Sequence, residues 1–106
     1  MNDAAELNVQ TSIEPSGAGL IRVEGELDVS NAQALESAVE RVVAEHHPSE
    51  LVFDLGGLRF MDSAGIAVLL GATKKVDSVA LREPSAIVRR VVELTGLSAV
   101  LPVTGR

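Results

Sequence analysis

Apolar residues alternate with polar ones near the start of the chain, which is typical of strands with one buried face. The two alternating stretches are separated by Pro15-Ser16-Gly17-Ala18-Gly19, so they predict a hairpin. Leu51 to Leu55 are mostly adjacent apolar residues, which predicts a strand buried on both faces. Strands are predicted at residues 7–13, 20–27, 51–55, 79–82 and 100–103. Pro102 places the last one at an edge of the sheet, since proline cannot donate to a ladder.

Apolar residues at helical spacing predict three helices between these strands. The first begins at Ser30, which with Gln33 matches a capping box, and ends at His46-His47-Pro48. The second runs from about Ser63 to about Thr73, after a turn over residues 56–61. Ser85 is the predicted N-cap of the third helix and Gly96 its stop.

The predicted order is β-β-α-β-α-β-α-β, which indicates an α/β fold with a mixed, mostly parallel sheet. The length of 106 residues fits a single domain spanning 1–106. Side chains that follow parallel strands gather at one edge of the sheet. We therefore expect Asp28, the segment 56–63, Glu83 and Ser85 to lie along one edge.

Composition excludes several kinds of function. The net charge of −6 and the scattered basic residues argue against nucleic-acid binding. The chain has no cysteine and no Walker-type phosphate loop, so we expect no thiolate chemistry, metal site or cofactor. The adjacent His46 and His47 point to different sides of a helix and do not suggest a metal pair. With no signal peptide and no long apolar run, a soluble cytoplasmic protein without membrane insertion is expected.

The segment Asp62-Ser63-Ala64-Gly65 is the strongest candidate for a functional site, because it places a serine hydroxyl in the first turn of a helix. Unpaired backbone N–H groups there would stabilise an anion such as a covalent phosphate. From the local sequence alone, an ordinary helix start capped by Asp62 is favoured over a phosphorylation site. Asp28 is similarly either a turn residue or part of a site.

Three segments together resemble the anti-sigma-factor antagonist family, which is built on the STAS domain. The first is Gly25-Glu26-Leu27-Asp28, between the second strand and the first helix. The second is Val52-Phe53-Asp54-Leu55 leading into Phe60-Met61-Asp62-Ser63-Ala64-Gly65-Ile66, and the third is Glu93-Leu94-Thr95-Gly96-Leu97. The resemblance implies a STAS-type fold and a regulatory protein that is not an enzyme.

The resemblance also implies partners and a switch. Antagonists of this family bind an anti-sigma factor that is a serine kinase with a GHKL-type ATP fold, which releases the sigma factor. The kinase would phosphorylate Ser63 and end the binding, and a PP2C-type phosphatase would reverse this. The implied partner-binding residues are Asp28, Met61, Asp62, Ser63, Ala64, Gly65 and Ile66. Met61 and Ile66 offer apolar contact or belong to the core, and Gly65 would let a partner backbone approach.

Two further expectations follow from the resemblance. A STAS subunit of a lipid or anion transport complex is the alternative function. The link over residues 74–78 is short and lacks the glycine often found in relatives, which predicts a truncated second helix and a poorly placed fourth strand.

Overall fold

The computed structural model describes residues 6–104, and the predicted domain limits at 1 and 106 lie outside the described residues. The strands are β1 Leu7–Ile13, β2 Gly19–Leu27, β3 Glu50–Met61, β4 Ser78–Arg82 and β5 Val103–Thr104. The helices are α1 Ala32–His46, α2 Ser63–Ala72 and α3 Ala86–Leu94, followed by a 3-10 helix at Leu97–Ala99. The predicted fold class and element order are confirmed.

The sheet has the strand order β1-β2-β3-β4-β5, with β1 antiparallel to β2 and the other pairs parallel. Alternate residues of β2, such as Ile21 and Val23, join buried residues of all three helices in one core. The helices therefore cover one face of the sheet. The opposite face carries ion pairs, including Arg22 with Asp54 at 3.4 Å, and these keep it compatible with water.

β3 is longer than predicted, because residues 56–61 continue the strand and do not form a turn. Gly57 pairs with Glu24 of β2, and the register between the two strands shifts on either side of this pair. A side chain at Gly57 would meet the Glu24 side chain, since a Cβ there would lie 2.8 Å from Glu24 Cγ. The glycine thus permits a close approach inside a bulged ladder.

α1 begins one residue later than predicted, because its N-cap is Asn31 and not Ser30. Ser30 lies in the preceding turn, where its hydroxyl donates to Asp28 Oδ1 at 2.6 Å. Serine and asparagine are both good caps, so the sequence pattern did not separate them. The predicted end of α1 is confirmed: His47 adopts a left-handed conformation, with φ of 46°, directly after the helix.

The last strand also starts later than predicted, at Val103. Leu101 N donates to Leu97 O at 2.7 Å, which keeps residues 97–101 in helical turns. Pro102 contributes its carbonyl, which accepts from Leu81 N of β4 at 2.8 Å. Gly96 has φ of 75° and ends α3 as predicted.

The expectation of a displaced fourth strand was wrong. β4 pairs in continuous register with β3, from Glu50 opposite Ser78 to Asp54 opposite Arg82. The short link is fixed by Ser49, whose carbonyl accepts from both Asp77 N and Ser78 N. A helix-to-strand link of this length therefore needs no glycine here.

Candidate functional site

α2 starts where β3 ends, with Asp62 between them as the N-cap. Its Oδ1 accepts from Ala64 N at 2.8 Å and from Gly65 N at 3.4 Å. Asp62 N donates to Leu27 O at 3.2 Å, which ties the start of α2 to the end of β2. The capping role predicted for Asp62 is confirmed, and the adjoining strand fixes its position.

Ser63 is the first residue of α2 and is exposed to solvent. Among the described residues, no side-chain hydrogen bond engages its hydroxyl. Two of the backbone amides expected to be open for an anion, those of Ala64 and Gly65, are in use, however. Asp62 holds those of Ala64 and Gly65 through its carboxylate and that of Ile66 through its carbonyl. The site therefore presents an exposed hydroxyl beside a carboxylate that already engages two of the nearby amides.

Gly65 and Met61 belong to the interior. A Cβ at Gly65 would lie 2.6 Å from Met61 Cγ and 2.7 Å from Leu27 Cδ2. The close approach that requires glycine is thus made by side chains of the chain itself, which corrects the expectation of a partner backbone there. Met61 is 3% exposed, so of its two predicted roles the structure favours the core. Ala64 and Ile66 are partly buried and pack against the same core.

α2 is apolar around its circumference but is only partly covered by the rest of the described chain. It contains no charged residue, yet its buried residues are Gly65, Leu69 and Ala72 alone. A helix that is apolar all round is normally buried. The groove between α1 and α2 is lined by Ala32, Gln33, Glu36, Ala64, Ala67 and Val68. An apolar surface with an acidic residue at its rim therefore lies directly beside Ser63.

Asp28 lies close to the start of α2, because Leu27 pairs with Met61. Its Oδ1 accepts from Ser30 N at 2.9 Å and from the Ser30 hydroxyl at 2.6 Å, so it also has a turn-forming role. Glu83 does not share this position: it follows Arg82, which pairs with Asp54, well before β3 reaches Met61. The predicted common edge is therefore found for Asp28 and Ser63 and not for Glu83.

Ser85 lies beside the middle of the extended part of β3, where its hydroxyl donates to Leu58 O at 2.6 Å. It also caps α3 by accepting from Val88 N at 3.4 Å, as predicted. The first bond ties the start of α3 to the sheet, and the second closes the first turn of the helix. Ser85 is therefore a structural residue and is separate from the Ser63 surface.

Two exposed apolar residues near the site were not singled out by the sequence analysis. Val29 is 81% exposed in the turn after Asp28, and Phe60 is 46% exposed near the end of β3. Phe60 lies opposite Glu26, whose carboxylate is 3.7 Å from the Arg59 guanidinium. Their exposure is hard to predict from the sequence. Val29 is a single apolar residue in a polar turn, and the sequence pattern places Phe60 in the core unless the register of β3 is known.

The described residues limit other chemistry. Within 6–104, no group of three or more His, Cys, Asp or Glu side chains is placed to hold a metal ion. In the same range no helix combines the length and the apolar character needed to cross a membrane.

The STAS domain profile matches residues 6–105. This chain belongs to the STAS domain family. It is 31% identical over 90 residues to the anti-sigma-F factor antagonist RsfB of Mycobacterium tuberculosis, covering 82% of this chain and 73% of RsfB. It is 26% identical over 102 residues to the anti-sigma F factor antagonist of Paenibacillus polymyxa, covering 92% of this STAS chain and 87% of that protein.

Solved structures agree on the STAS fold. The crystal structure of an anti-sigma factor antagonist from Mycobacterium paratuberculosis superposes with a TM-score of 0.81 at 31% identity, covering 95% of this chain and 87% of that one. Unphosphorylated SpoIIAA superposes with a TM-score of 0.79 at 22% identity, covering 93% and 90%. The second likeness bears on the fold alone.

Proposed function

We propose that this STAS domain is an anti-sigma-factor antagonist, which binds an anti-sigma factor with GHKL-type serine kinase activity and so releases a sigma factor. The observation that carries the proposal is the exposed Ser63 hydroxyl, free of intramolecular bonds among the described residues, beside the apolar surface of α2. The names of the bacterial relatives support the same function. The chain acts as a binding partner and kinase substrate, and the catalytic groups belong to its partners.

Binding uses the α2 surface and the turn next to it. Ser63, Ala64 and Ile66 contact the partner directly, and Asp28 contacts it from the adjoining turn. Met61 and Gly65 act from beneath, because their burial sets the position of the first turn of α2. Covering the apolar side chains of α2 provides the favourable free energy of association.

Phosphorylation ends the binding. The Ser63 oxygen bonds to the γ-phosphorus of ATP held by the kinase, and the bond from that phosphorus to the β,γ-bridging oxygen breaks. ADP leaves, and the hydroxyl proton passes to a base of the kinase. The product carries roughly −1.5 to −2 additional charge at a surface that received a neutral hydroxyl. A PP2C-type phosphatase hydrolyses the ester and restores the hydroxyl.

The first test is phosphorylation by the cognate kinase. Incubated with that kinase and ATP, the chain is expected to gain one phosphate, measured as intact mass and located by peptide mapping. Ser63→Ala should gain none. Ser30→Ala is the matched control, because Ser30 is also exposed near the site and the substitution keeps its backbone hydrogen bond to Asp28 Oδ1. Phosphate on another residue, or none with the true kinase, would refute the proposal.

The second test is affinity. Ser63→Ala should keep its affinity for the anti-sigma factor, whereas Ser63→Glu should lose at least about tenfold, equivalent to ~1.4 kcal/mol. Equal affinities for the two variants would contradict an electrostatic switch. A pull-down with and without ATP identifies the partner, and recovery of a transport ATPase in place of a kinase would support the transport-complex alternative.

A further inference from the structure

We propose that Asp62 is a positioning residue for the switch: its carboxylate keeps the amides of Ala64 and Gly65 and so drives a phosphate on Ser63 outward, toward the partner. This inference rests on the proposed function, since it concerns the state that phosphorylation creates. It also reverses the usual expectation for a helix start, where backbone amides and the helix dipole receive an anion.

The first step of the argument is the hydrogen bonding at the helix start. A phosphate on Ser63 would find Ala64 N and Gly65 N already donating to Asp62 Oδ1, at 2.8 and 3.4 Å. Ile66 N is also taken, because it donates to Asp62 O at 3.1 Å. To bind these amides the phosphate would have to displace a carboxylate one residue away. Two anions therefore compete for donors that one of them already holds.

The second step concerns what prevents Asp62 from moving aside. Its backbone N–H donates to Leu27 O at 3.2 Å, so the residue is fixed to the end of β2. Gly65, which receives one of its cap bonds, is buried against Met61 and Leu27. The cap is therefore held from the sheet side, and the exposed Ser63 side chain is the group with room to turn away.

The third step is the charge around the phosphate. Asp28, in the turn after β2, and Glu36, at the rim of the α1–α2 groove, add negative charge on the two elements that flank the start of α2. The nearby cation from β3, Arg59, is paired with Glu26 at 3.7 Å. A phosphate on Ser63 would thus lie next to Asp62, at a helix start whose flanking elements carry Asp28 and Glu36.

The consequence is a phosphate that projects into solvent and resists its second ionisation. Since like charges disfavour the charged form, the second pKa of the phosphate should lie above its ordinary value near 6. Removing the Asp62 charge while keeping the cap should lower that pKa by about half a unit to one unit. Asn is the suitable replacement, because it caps helices about as well as Asp.

The experiment uses the full chain with phosphoserine incorporated at position 63 during translation, so no kinase is needed. The phosphate of the parent, Asp62→Asn and Asp77→Asn chains is titrated by phosphorus NMR while the amides of Ala64 and Gly65 are followed by proton–nitrogen spectra. Asp77→Asn removes the same charge beyond the far end of α2 and serves as the control. Amide spectra and urea unfolding verify that each variant is folded.

We expect a lowered phosphate pKa in Asp62→Asn, no change in Asp77→Asn, and Ala64 and Gly65 amides that do not follow the phosphate titration in the parent. Equal phosphate pKa values in the parent and Asp62→Asn would overturn the inference. So would parent amides that follow the phosphate, since the phosphate would then have displaced Asp62. Failure of the proposed function shows separately, as an unphosphorylated chain that binds no anti-sigma factor while these titrations stay unaffected.

Discussion

The starts of α2 and α3 are built alike but leave their serines in opposite states. Asp62 caps α2, so Ser63 follows as the first helical residue and no hydrogen bond among the described residues engages its hydroxyl. Ser85 is itself the cap of α3, and its hydroxyl both accepts from Val88 N and donates to Leu58 O. A shift of one position relative to the cap thus decides whether a serine hydroxyl is available to a partner or serves the fold.

The third residue of each helix is a second difference between the starts of α2 and α3. In α2 it is Gly65, and in α3 it is Val88; both are buried. Gly65 lets the first turn of α2 sit directly against Met61 and Leu27, whereas Val88 fills the equivalent space with its own side chain. The first turn of α2 therefore packs tightly on Met61 and Leu27, and the exposed side of that turn carries the proposed switch.

The largest expected effect tests this close contact. Gly65→Ala should destabilise the fold by about 1–3 kcal/mol, because the added methyl overlaps Met61 and Leu27. Gly71→Ala is the matched control: it makes the same change in the same helix, where the space around a Cβ is open. It should stabilise the fold by about 0.5–1 kcal/mol. Urea unfolding measures both, and two changes of the same sign would contradict the packing argument.

A smaller effect separates the two serines. Ser85→Ala should cost about 1–2 kcal/mol, because α3 loses its cap and Leu58 O loses a hydrogen bond. Ser63→Ala should change the free energy of unfolding by less than about 0.5 kcal/mol, as expected for an exposed side chain. Thermal or urea unfolding of both variants provides the measurement. A cost for Ser63→Ala that equals the cost for Ser85→Ala would mean that Ser63 is structural.

Local chemistry explains why both helix starts were predictable from the sequence. Asp62 and Ser85 are strong caps that each precede an apolar helical stretch. The start of α1 was misplaced because Ser30 and Asn31 are adjacent and equally suitable. The strand that leads to the site was cut short because Gly56 and Gly57 are also typical of turns, and only pairing with β2 shows their role.

The exposure of individual side chains and the contacts between residues distant in sequence could not be predicted from the sequence. Phe60 and Met61 are neighbouring apolar residues, yet the first is half exposed and the second buried, and the register of β3 with β2 decides which is which. That Asp62 occupies the amides beside Ser63 depends on the torsion angles of its side chain. Glu14 and Arg82 are far apart in sequence and carry no local signal of their contact. The resemblance indicated the site; geometry assigned separate roles within it.

The next smaller effect is the change in stability when Asp62 is replaced in the unphosphorylated chain. Asp62→Ala should destabilise the fold by about 1 kcal/mol, and Asp62→Asn by only a few tenths, because Asn retains the cap. Urea unfolding at neutral pH measures the difference. If the two variants were equally destabilised, the carboxylate charge and not the hydrogen bonds would hold the start of α2, and Asn would lose its value as a charge-only replacement.

The smallest expected effect on stability concerns an ion pair at the end of β4, the strand that leads into α3. Arg82 donates to both carboxylate oxygens of Glu14, at 2.8 and 3.1 Å. This hydrogen bonding lowers the pKa of Glu14 below its ordinary value of 4.5. Since the folded-state pKa is depressed, the pair stabilises the fold above pH 4.5, and this contribution is lost as pH falls through the lower folded value.

Glu14→Gln should therefore lose a small part of its unfolding free energy at pH 7 and match the parent at strongly acidic pH. Urea unfolding of both chains from pH 7 to pH 3 measures this convergence, and a difference that stays constant across the range would contradict it. Because the pair is only partly buried, salt should reduce the difference at neutral pH. The ion pair joins Glu14 and Arg82 and does not involve Asp62 or Ser63. Glu14→Gln should therefore leave the Ser63 surface and its proposed binding unchanged.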